Sequence, residues 1–330
     1  MDNVEPTRTG AMDRLVRVDT TLGRAMRRRR SFLEGWIERV LFFCAFFSVL
    51  GVMFITIFIF MEGLPLFKDV GVFEFLLGTT WLPTDRSGAQ FGILPFIVGS
   101  FYVTFLALVL GVPLSLACAV YLAEIAKDRS ARILRRVIEL LAGIPSVVYG
   151  FFGVVVICPA VRTVFGGTGF SVLSAAIILA IMILPTIINI SEVTIRSVPK
   201  GYKEGSLALG ATHWQSITRV ILPNAFSGIL AAIVLGTGRA IGETMAVLMV
   251  AGNAPIMPDF RPKALFGLTS KVRTLTMNIV TDMGYAADEH LTALFTTSIV
   301  LFIIIMVLNI SISVITKKIR EELEGQSDGK

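Results

Sequence analysis

Residues 203–223 read KEGSLALGATHWQSITRVILP, and this stretch joins two long apolar blocks. Pro199 and Gly201 mark a turn ahead of it, and a short helix is predicted to begin near Tyr202. Gly210 can adopt the left-handed backbone angles that end a helix and turn the chain. The stretch therefore predicts a short helix that ends in a sharp corner.

A second helix is predicted from Trp214 onward, because its apolar residues recur at helical spacing. Pro223 then fits the start of the next long helix. The predicted apolar face consists of Trp214, Ile217, Val220 and Ile221. Two short helices at a corner suit the groove of a partner protein, whereas an amphipathic helix also suits a lipid surface. Spacing alone favours neither.

The flanking apolar blocks predict an all-α integral membrane protein. Of the 330 residues, 54% are hydrophobic and 16% are charged, against about 25% charged in soluble domains. About 20 apolar residues are needed to cross the hydrocarbon layer. Six blocks satisfy this requirement: 37–61, 93–122, 138–161, 172–190, 225–250 and 291–315.

These blocks are predicted to be helices because lipid leaves no other partner for backbone polar groups. Runs such as 300–307 are apolar on every face, unlike the alternating strands of a membrane barrel. Pro113, Pro145 and Pro185 fall inside predicted helices, where each is expected to cause a kink.

The positions of lysine and arginine predict that both termini are cytoplasmic. One set of segments holds eight arginines before Ser31, then Lys127, Arg129, Arg132, Arg135, Arg136, Arg196, Lys200, Lys203, Arg219, Lys317, Lys318 and Arg320. The opposite loops hold fewer, namely Lys68, Arg86, Arg162, Arg261, Lys263, Lys271 and Arg273. Residues 193–223 are then cytoplasmic.

The predicted organisation has three parts. Residues 1–35 are an arginine-rich cytoplasmic tail, residues 36–316 are the membrane domain and residues 317–330 are a cytoplasmic tail. The first tail either contacts anionic lipid or serves only as a topology signal. The net charge of +6 sits beside apolar blocks, which argues against nucleic-acid binding.

No metal site or cofactor is predicted. Cys44, Cys118 and Cys158 lie in apolar blocks and read as packing residues. His213 and His290 lack ligand-like neighbours, and the acids Asp282, Asp288 and Glu289 stand in a loop without a paired base.

Residues 204–223 resemble the EAA loop of ABC-importer permeases, which reads E-A-A, three residues, G, nine residues, I-x-L-P. Glu204, Gly205 and Ser206 take the first three places, Gly210 takes the glycine place, and Val220, Ile221, Leu222 and Pro223 take the last four. The resemblance implies that Glu204, Gly205, Ser206, Gly210, Leu222 and Pro223 couple the permease to an ATPase. It also implies the type I importer architecture.

A narrower resemblance, over about residues 73–319, is to the PstC-type permeases of bacterial phosphate importers. The matching stretches are 81–83, 91–95, 143–150, 238–244, 274–279 and 283–286, of which GRAIGET at 238–244 is the most specific. It implies a location in the bacterial inner membrane. It further implies a second, PstA-like permease, a PstB-like ATPase dimer and an external PstS-like phosphate-binding protein.

Arg239 and Glu243 stand inside the fifth apolar block at a spacing that predicts an ion pair on one helix face. Charges inside a membrane are costly and usually functional. A guanidinium forks onto phosphate oxygens, so both residues are candidates for the substrate path. The alternative is an ion pair that locks helix five to its neighbours.

ATP use and enzymatic catalysis are not expected of this chain. The sequence has no GxxxxGK[ST], GxSxG or HExxH motif. The leading hypothesis is a permease subunit of an ATP-driven phosphate importer that works by alternating access. Two alternatives are an ABC importer for another oxyanion or small solute and a secondary transporter that works without ATP. A membrane enzyme is disfavoured because the sequence shows no catalytic site.

Overall fold

The computed structural model describes the backbone of residues 9–85, 88–261 and 267–328, and the side chains of residues 36–85, 88–261, 267–311, 313 and 314. The described residues do not include Arg86 or Lys263, and the described side chains do not include the arginines of the first tail. The chain divides into two compact units at the boundary between Phe58 and Ile59. Across the described part of the first unit the backbone is helical, and its apolar side chains from Trp36 onward are mostly exposed, which suits lipid contact.

Helices dominate the described residues. They are α1 (Thr9–Gly63), α2 (Leu66–Asp69), α3 (Val72–Leu77), α4 (Leu94–Val120), α5 (Asp128–Gly143), α6 (Ser146–Phe152), α7 (Cys158–Phe165), α8 (Val172–Ser197), α9 (Lys200–Ala208), α10 (His213–Ser216), α11 (Leu222–Gly242), α12 (Met245–Val250), α13 (Leu275–Asp282) and α14 (Asp288–Asp328). Strands β1 (Trp81–Leu82) and β2 (Gln90–Phe91) pair antiparallel, with Trp81 opposite Phe91.

Six helical stretches in the described residues are long and apolar enough to cross a membrane, which confirms the predicted number. They are Trp36–Asp69, Leu94–Ile125, Ser146–Phe165, Val172–Ser197, His213–Gly242 and Asp288–Ser311, called spans one to six below. The boundaries of the three predicted parts stay predictions, and both α1 and α14 run through them without a break.

Two predicted spans have different limits in the structure. The block 138–161 is not one helix, because α5 ends at Gly143 and Pro145 caps α6 in an extended conformation. Pro145 therefore lies between helices, whereas Pro113 and Pro185 do lie inside α4 and α8. The block 225–250 is also divided, since α11 ends at Gly242 and α12 begins at Met245.

Prolines shape the spans through π-helical turns as well. Gly153–Ile157 and Ile217–Ile221 are π-helical, and a proline, Pro159 or Pro223, lies two residues after the end of each turn. A proline has no N–H and crowds the carbonyl four residues earlier, so a locally wider turn accommodates it. Both spans consequently continue through the proline.

Helix α8 forms the centre of the second unit and packs against α4 and α11. Close approach depends on glycine, because a Cβ at Gly111 of α4 would come within 2.9 Å of Ile183, and one at Gly236 of α11 within 2.8 Å of Ile187. Small residues permit such contact between membrane helices, where dispersion rather than water exclusion provides attraction. This packing fixes span five, which bears Arg239, against span four.

Candidate functional site

The segment between spans four and five, residues 199–223, is called the elbow. Helix α9 begins after Pro199, and the chain reverses at Gly210, whose φ of +87° confirms the predicted left-handed angle. The amide of Gly210 donates to the carbonyl of Leu207 at 3.0 Å, and the amide of Ala211 donates to that of Ser206 at 3.1 Å. These bonds satisfy carbonyls that the end of a helix leaves free.

The second short helix has a complete cap. The Thr212 hydroxyl accepts from the Gln215 amide at 3.2 Å, and the Gln215 side-chain oxygen accepts from the Thr212 amide at 2.9 Å. This capping box satisfies two backbone donors at once. Helix α10 then continues through the π-helical turn into α11, so the predicted second helix is the first part of span five rather than a separate element.

The elbow presents apolar side chains outward. The predicted single apolar face is wrong, because Ile217 and Ile221 are buried whereas Trp214 is 62% exposed. Leu209 at the corner is 92% exposed, and Tyr202 and Leu207 are exposed on α9. Of the predicted coupling residues, Glu204, Gly205, Gly210 and Pro223 are exposed, and Ser206 and Leu222 are half-buried. The Ser206 hydroxyl lies 2.6 Å from that of Ser216 and joins the two short helices.

An ion cluster that the sequence analysis missed lies beside the elbow. The buried carboxylate of Glu192 accepts from Arg135 at 2.9 and 2.6 Å and from Arg196 at 2.9 Å. Arg196 also donates to the Leu122 carbonyl at 2.5 Å. Arg196 follows Glu192 by four residues in α8, a spacing that the sequence did offer as a signal. The cluster joins α5, α8 and the end of span two.

Arg239 is exposed on span five, about 24 Å along the helix from Pro223 at roughly 1.5 Å per residue. Its guanidinium donates to the Thr186 hydroxyl at 3.2 Å. The predicted ion pair with Glu243 is wrong, because the helix ends at Gly242 and Glu243 has extended angles that break the i, i+4 geometry. No salt bridge joins these two side chains, both of which are within the described range.

Glu243 instead stabilises the break between α11 and α12. Its carboxylate accepts from the Ala246 amide at 3.3 Å, one of the donors that the start of α12 leaves free. Its carbonyl accepts from the Thr276 hydroxyl at 3.3 Å. The break is therefore stabilised by the Glu243 side chain itself and by the first turn of α13.

A second buried charge cluster lies at the end of the bundle opposite the elbow. The carboxylate of Asp282 is 2% exposed and accepts from Trp81 at 3.1 Å, from Arg273 at 3.2 Å and from Tyr285 at 2.7 Å. The His290 ring nitrogen lies 3.3 Å from it. The prediction that Asp282 stands in a loop without a paired base is thus wrong, because the residue ends α13 and the imidazole of His290 lies beside it.

Arg273 extends this cluster toward the break in span five. It donates to Asn253 at 2.8 Å and to Asn278 at 2.9 Å. The Asp282 hydrogen bond holds the pKa of the Tyr285 phenol above its ordinary value. By contrast, Asp259 and Arg261 form an exposed pair, and Arg261 lowers the pKa of Asp259 to about 2.

Comparison with known sequences identifies proteins that are similar to this chain. Residues 111–321 match the family described as "Binding-protein-dependent transport system inner membrane component". The chain is 45% identical over 241 residues to the probable ABC transporter permease protein YqgH of Bacillus subtilis (strain 168), covering 72% of this chain and 77% of that protein. It is 30% identical over 318 residues to the phosphate transport system permease protein PstC of Haemophilus influenzae, covering 88% and 96%.

Solved structures share the fold at lower identity. An inward-facing conformation of the MetNI methionine ABC transporter superposes with a TM-score of 0.52 at 21% identity, covering 69% of this chain and 94% of that one. A bacterial alginate ABC transporter complex gives a TM-score of 0.54 at 16% identity, covering 83% and 95%. The chain is therefore a multi-pass membrane protein that belongs to the family of binding-protein-dependent inner-membrane transport components, the permease subunits of ABC importers.

Proposed function

We propose that this chain is a permease subunit of an ATP-driven phosphate importer and that Arg239 lies on the phosphate path. The observation that carries the proposal is an exposed arginine that is the one charged residue of α11 and is held by a hydroxyl rather than a carboxylate. A charge facing lipid at this depth costs several kcal/mol, so such residues face protein or a water-filled path. Its guanidinium remains able to bind phosphate oxygens.

The cargo is supported by the PstC relative, whose name specifies phosphate and whose sequence aligns over most of both chains. The relative with 45% identity is named without a cargo, so another oxyanion remains the second candidate. Competition for uptake between labelled phosphate and sulfate, arsenate or molybdate distinguishes these cargoes. The proposal is supported if uptake of labelled phosphate falls only when unlabelled phosphate or a close analogue such as arsenate is added.

A second permease subunit completes the path beside span five. In the second unit, Arg239 and the neighbouring Leu235 are exposed, and a Cβ at Gly238 or Gly242 would meet nothing within 4 Å. Glycines leave room for another helix to approach. A homologous subunit placed there shields the guanidinium from lipid and forms the other wall of the path.

The elbow is the docking element for a separate ATPase. It combines exposed apolar side chains, Leu209 and Trp214 foremost, with the exposed carboxylate of Glu204. A rigid corner with apolar anchors and a charged neighbour suits insertion into a groove of a partner. Closure of the ATPase dimer then moves the elbow, and the bundles rock between outward-open and inward-open states. An external phosphate-binding protein delivers cargo at the opposite end.

The decisive test is Arg239→Gln in a complex purified with its partners and reconstituted in vesicles. We expect ATP-driven uptake of labelled phosphate to be abolished while the ATPase still copurifies. Arg239→Lys serves as the matched control, because it keeps the charge but loses the fork and should retain partial uptake. Normal uptake by Arg239→Gln would remove Arg239 from the mechanism.

The elbow assignment has its own test. Glu204→Lys reverses the exposed charge, and Gly210→Arg places a side chain at a left-handed residue. We expect both variants to lose ATPase copurification and uptake together. Intact docking and uptake in both variants contradicts this role, and uptake that persists after ATP depletion supports a secondary transporter instead.

A further inference from the structure

Helix α9 is weakly attached to the rest of the bundle. None of its residues is buried. A cavity of about 390 Å³ lies between it and the spans, and its lining includes Glu124, Arg196, Lys203 and Ile221. Buried apolar packing of α9 therefore contributes little to the transmission of its movement, which leaves the covalent connections to spans four and five and specific polar contacts.

One polar contact joins α9 directly to span two, in addition to the Ser206–Ser216 bond to the start of span five. Lys203 forms a salt bridge with Glu124 at 2.5 Å, and the Glu124 side chain is only 10% exposed. Glu124 belongs to the π-helical turn Tyr121–Ile125 that ends span two. Lys203 immediately precedes Glu204 of the coupling motif, so the contact lies beside the proposed ATPase surface.

The turn that holds Glu124 is itself tied to two more elements. The Leu122 carbonyl accepts from Arg196 of α8, and Arg196 shares the Glu192 carboxylate with Arg135 of α5. Movement of Glu124 therefore acts on a turn that is connected to span four and to α5. A contiguous set of hydrogen bonds between rigid elements is the kind of structure that transmits coupling, and mutation is required to establish it.

We infer that Lys203 and Glu124 are positioning residues that transmit movement of the elbow to span two. The inference rests on the proposed function, because the elbow moves only if an ATPase grips it. It extends that function by adding a direct connection to span two, besides the covalent continuity of the elbow with spans four and five. Lys203 has no part in the predicted coupling motif, and Glu124 lies 79 residues away.

The test is charge reversal and its repair in the reconstituted complex. Lys203→Glu places two carboxylates together, and we expect the phosphate transported per ATP hydrolysed to fall about tenfold, within the range typical of coupling between sites. Glu124→Lys combined with Lys203→Glu restores opposite charges and should restore the ratio. Lys127→Glu is the matched control, since it makes the same charge change at an exposed lysine that lies three residues after Glu124, outside the elbow, and forms no ion pair among the described residues; it should leave the ratio unchanged.

A cargo-independent readout separates this inference from the proposed function. In a background without the three natural cysteines, the labelling rate of Leu235→Cys is measured with and without ATP. We expect ATP to change the rate in the otherwise unaltered complex, Lys203→Glu to abolish that change and the swapped pair to restore it. If an unaltered complex shows the ATP response but no phosphate uptake, the cargo proposal fails and the contact still stands.

Two results overturn the inference. A wild-type transport ratio and ATP response in Lys203→Glu show that the contact is not needed. A loss in Lys203→Glu that the swap does not repair shows that the pairing is not the cause. If Lys203→Glu prevents assembly of the complex, the transport ratio is measured in the neutral variant Lys203→Gln instead. A normal ratio of phosphate transported per ATP hydrolysed in that variant also overturns the inference.

Discussion

Asp282 shows how much a single side chain does in this bundle. It joins Trp81 of β1, Arg273 before α13, and His290 of α14, and it is almost completely buried. Removing one member of a buried ion pair leaves the other charge without compensation. The residue is consequently a stability element of the end of the bundle that faces the binding protein in the proposed importer.

We expect Asp282→Ala to destabilise the protein by about 3–5 kcal/mol, the range for breaking a buried pair. Thermal unfolding of the detergent-purified protein, followed by tryptophan fluorescence, measures the effect. Asp259→Ala is the control, because it removes an equally direct partner of an arginine in an exposed pair and should change little. Equal melting temperatures for the two variants would contradict this role of Asp282.

Tyr285 reports on the same cluster through its ionisation. The hydrogen bond to Asp282, followed by burial, raises its pKa above the usual 10.0. The neutral phenol therefore contributes stability below about pH 10 that is lost as the pH rises through the raised pKa. We expect Asp282→Asn to lower the Tyr285 pKa, measured by ultraviolet titration as a difference from Tyr285→Phe. An unchanged titration curve would show that the Asp282 carboxylate does not raise the pKa of Tyr285.

At the scale of elements, two glycines of the elbow should respond oppositely to the same change. Gly205 lies inside α9 with open space at its Cβ position, whereas Gly210 has a positive φ. Gly205→Ala should stabilise α9 by about 0.5–1 kcal/mol because alanine loses less backbone entropy. Gly210→Ala should cost about 1–2 kcal/mol because its Cβ crowds the backbone in the left-handed region.

Limited proteolysis of the elbow in the purified complex checks both substitutions. Compared with the unaltered protein, we expect cleavage to be slower for Gly205→Ala and faster for Gly210→Ala. Slower cleavage in both variants would mean that the corner does not need the left-handed residue.

The existence of the helices could be predicted from the sequence more completely than their ends. The break at Pro145 had an available signal, since a residue before proline disfavours helical angles and Ile144 adopts a ψ of 128°. The break at Glu243 had none in the hydropathy, because the apolar pattern continues to Val250. There the carboxylate caps the next helix and Thr276 holds the carbonyl, contacts that depend on tertiary structure.

At the scale of the whole molecule, the six spans followed from composition because the hydrocarbon thickness fixes the length of each apolar block. The two ion clusters, each centred on a buried carboxylate, did not follow from composition. Arg135 and Glu192 are 57 residues apart, and Trp81 and Asp282 are 201 apart, so only the folded helices bring them together. These contacts depend on how the helices pack, which hydropathy and local residue spacing do not predict.

Orientation remains a prediction, and cysteine labelling tests it. Leu209→Cys at the elbow and Phe73→Cys in α3 place thiols at residues that are 92% and 79% exposed. In a cysteine-free background, a membrane-impermeant maleimide should label residue 73 in intact spheroplasts and residue 209 only in inverted vesicles. The reverse result would place the elbow beyond the reach of a cytoplasmic ATPase.

The uncovered guanidinium of Arg239 also bears on how a cell manages the amount of this protein. In the proposed importer, a copy synthesised in excess of the second permease subunit would keep Arg239 against lipid, which is energetically costly. We expect proteases to degrade such unpaired copies, which would match the cellular levels of the two subunits without any matching of their synthesis. Deleting the companion gene should then shorten the half-life of this chain in a pulse–chase experiment, and Arg239→Leu should lengthen it again.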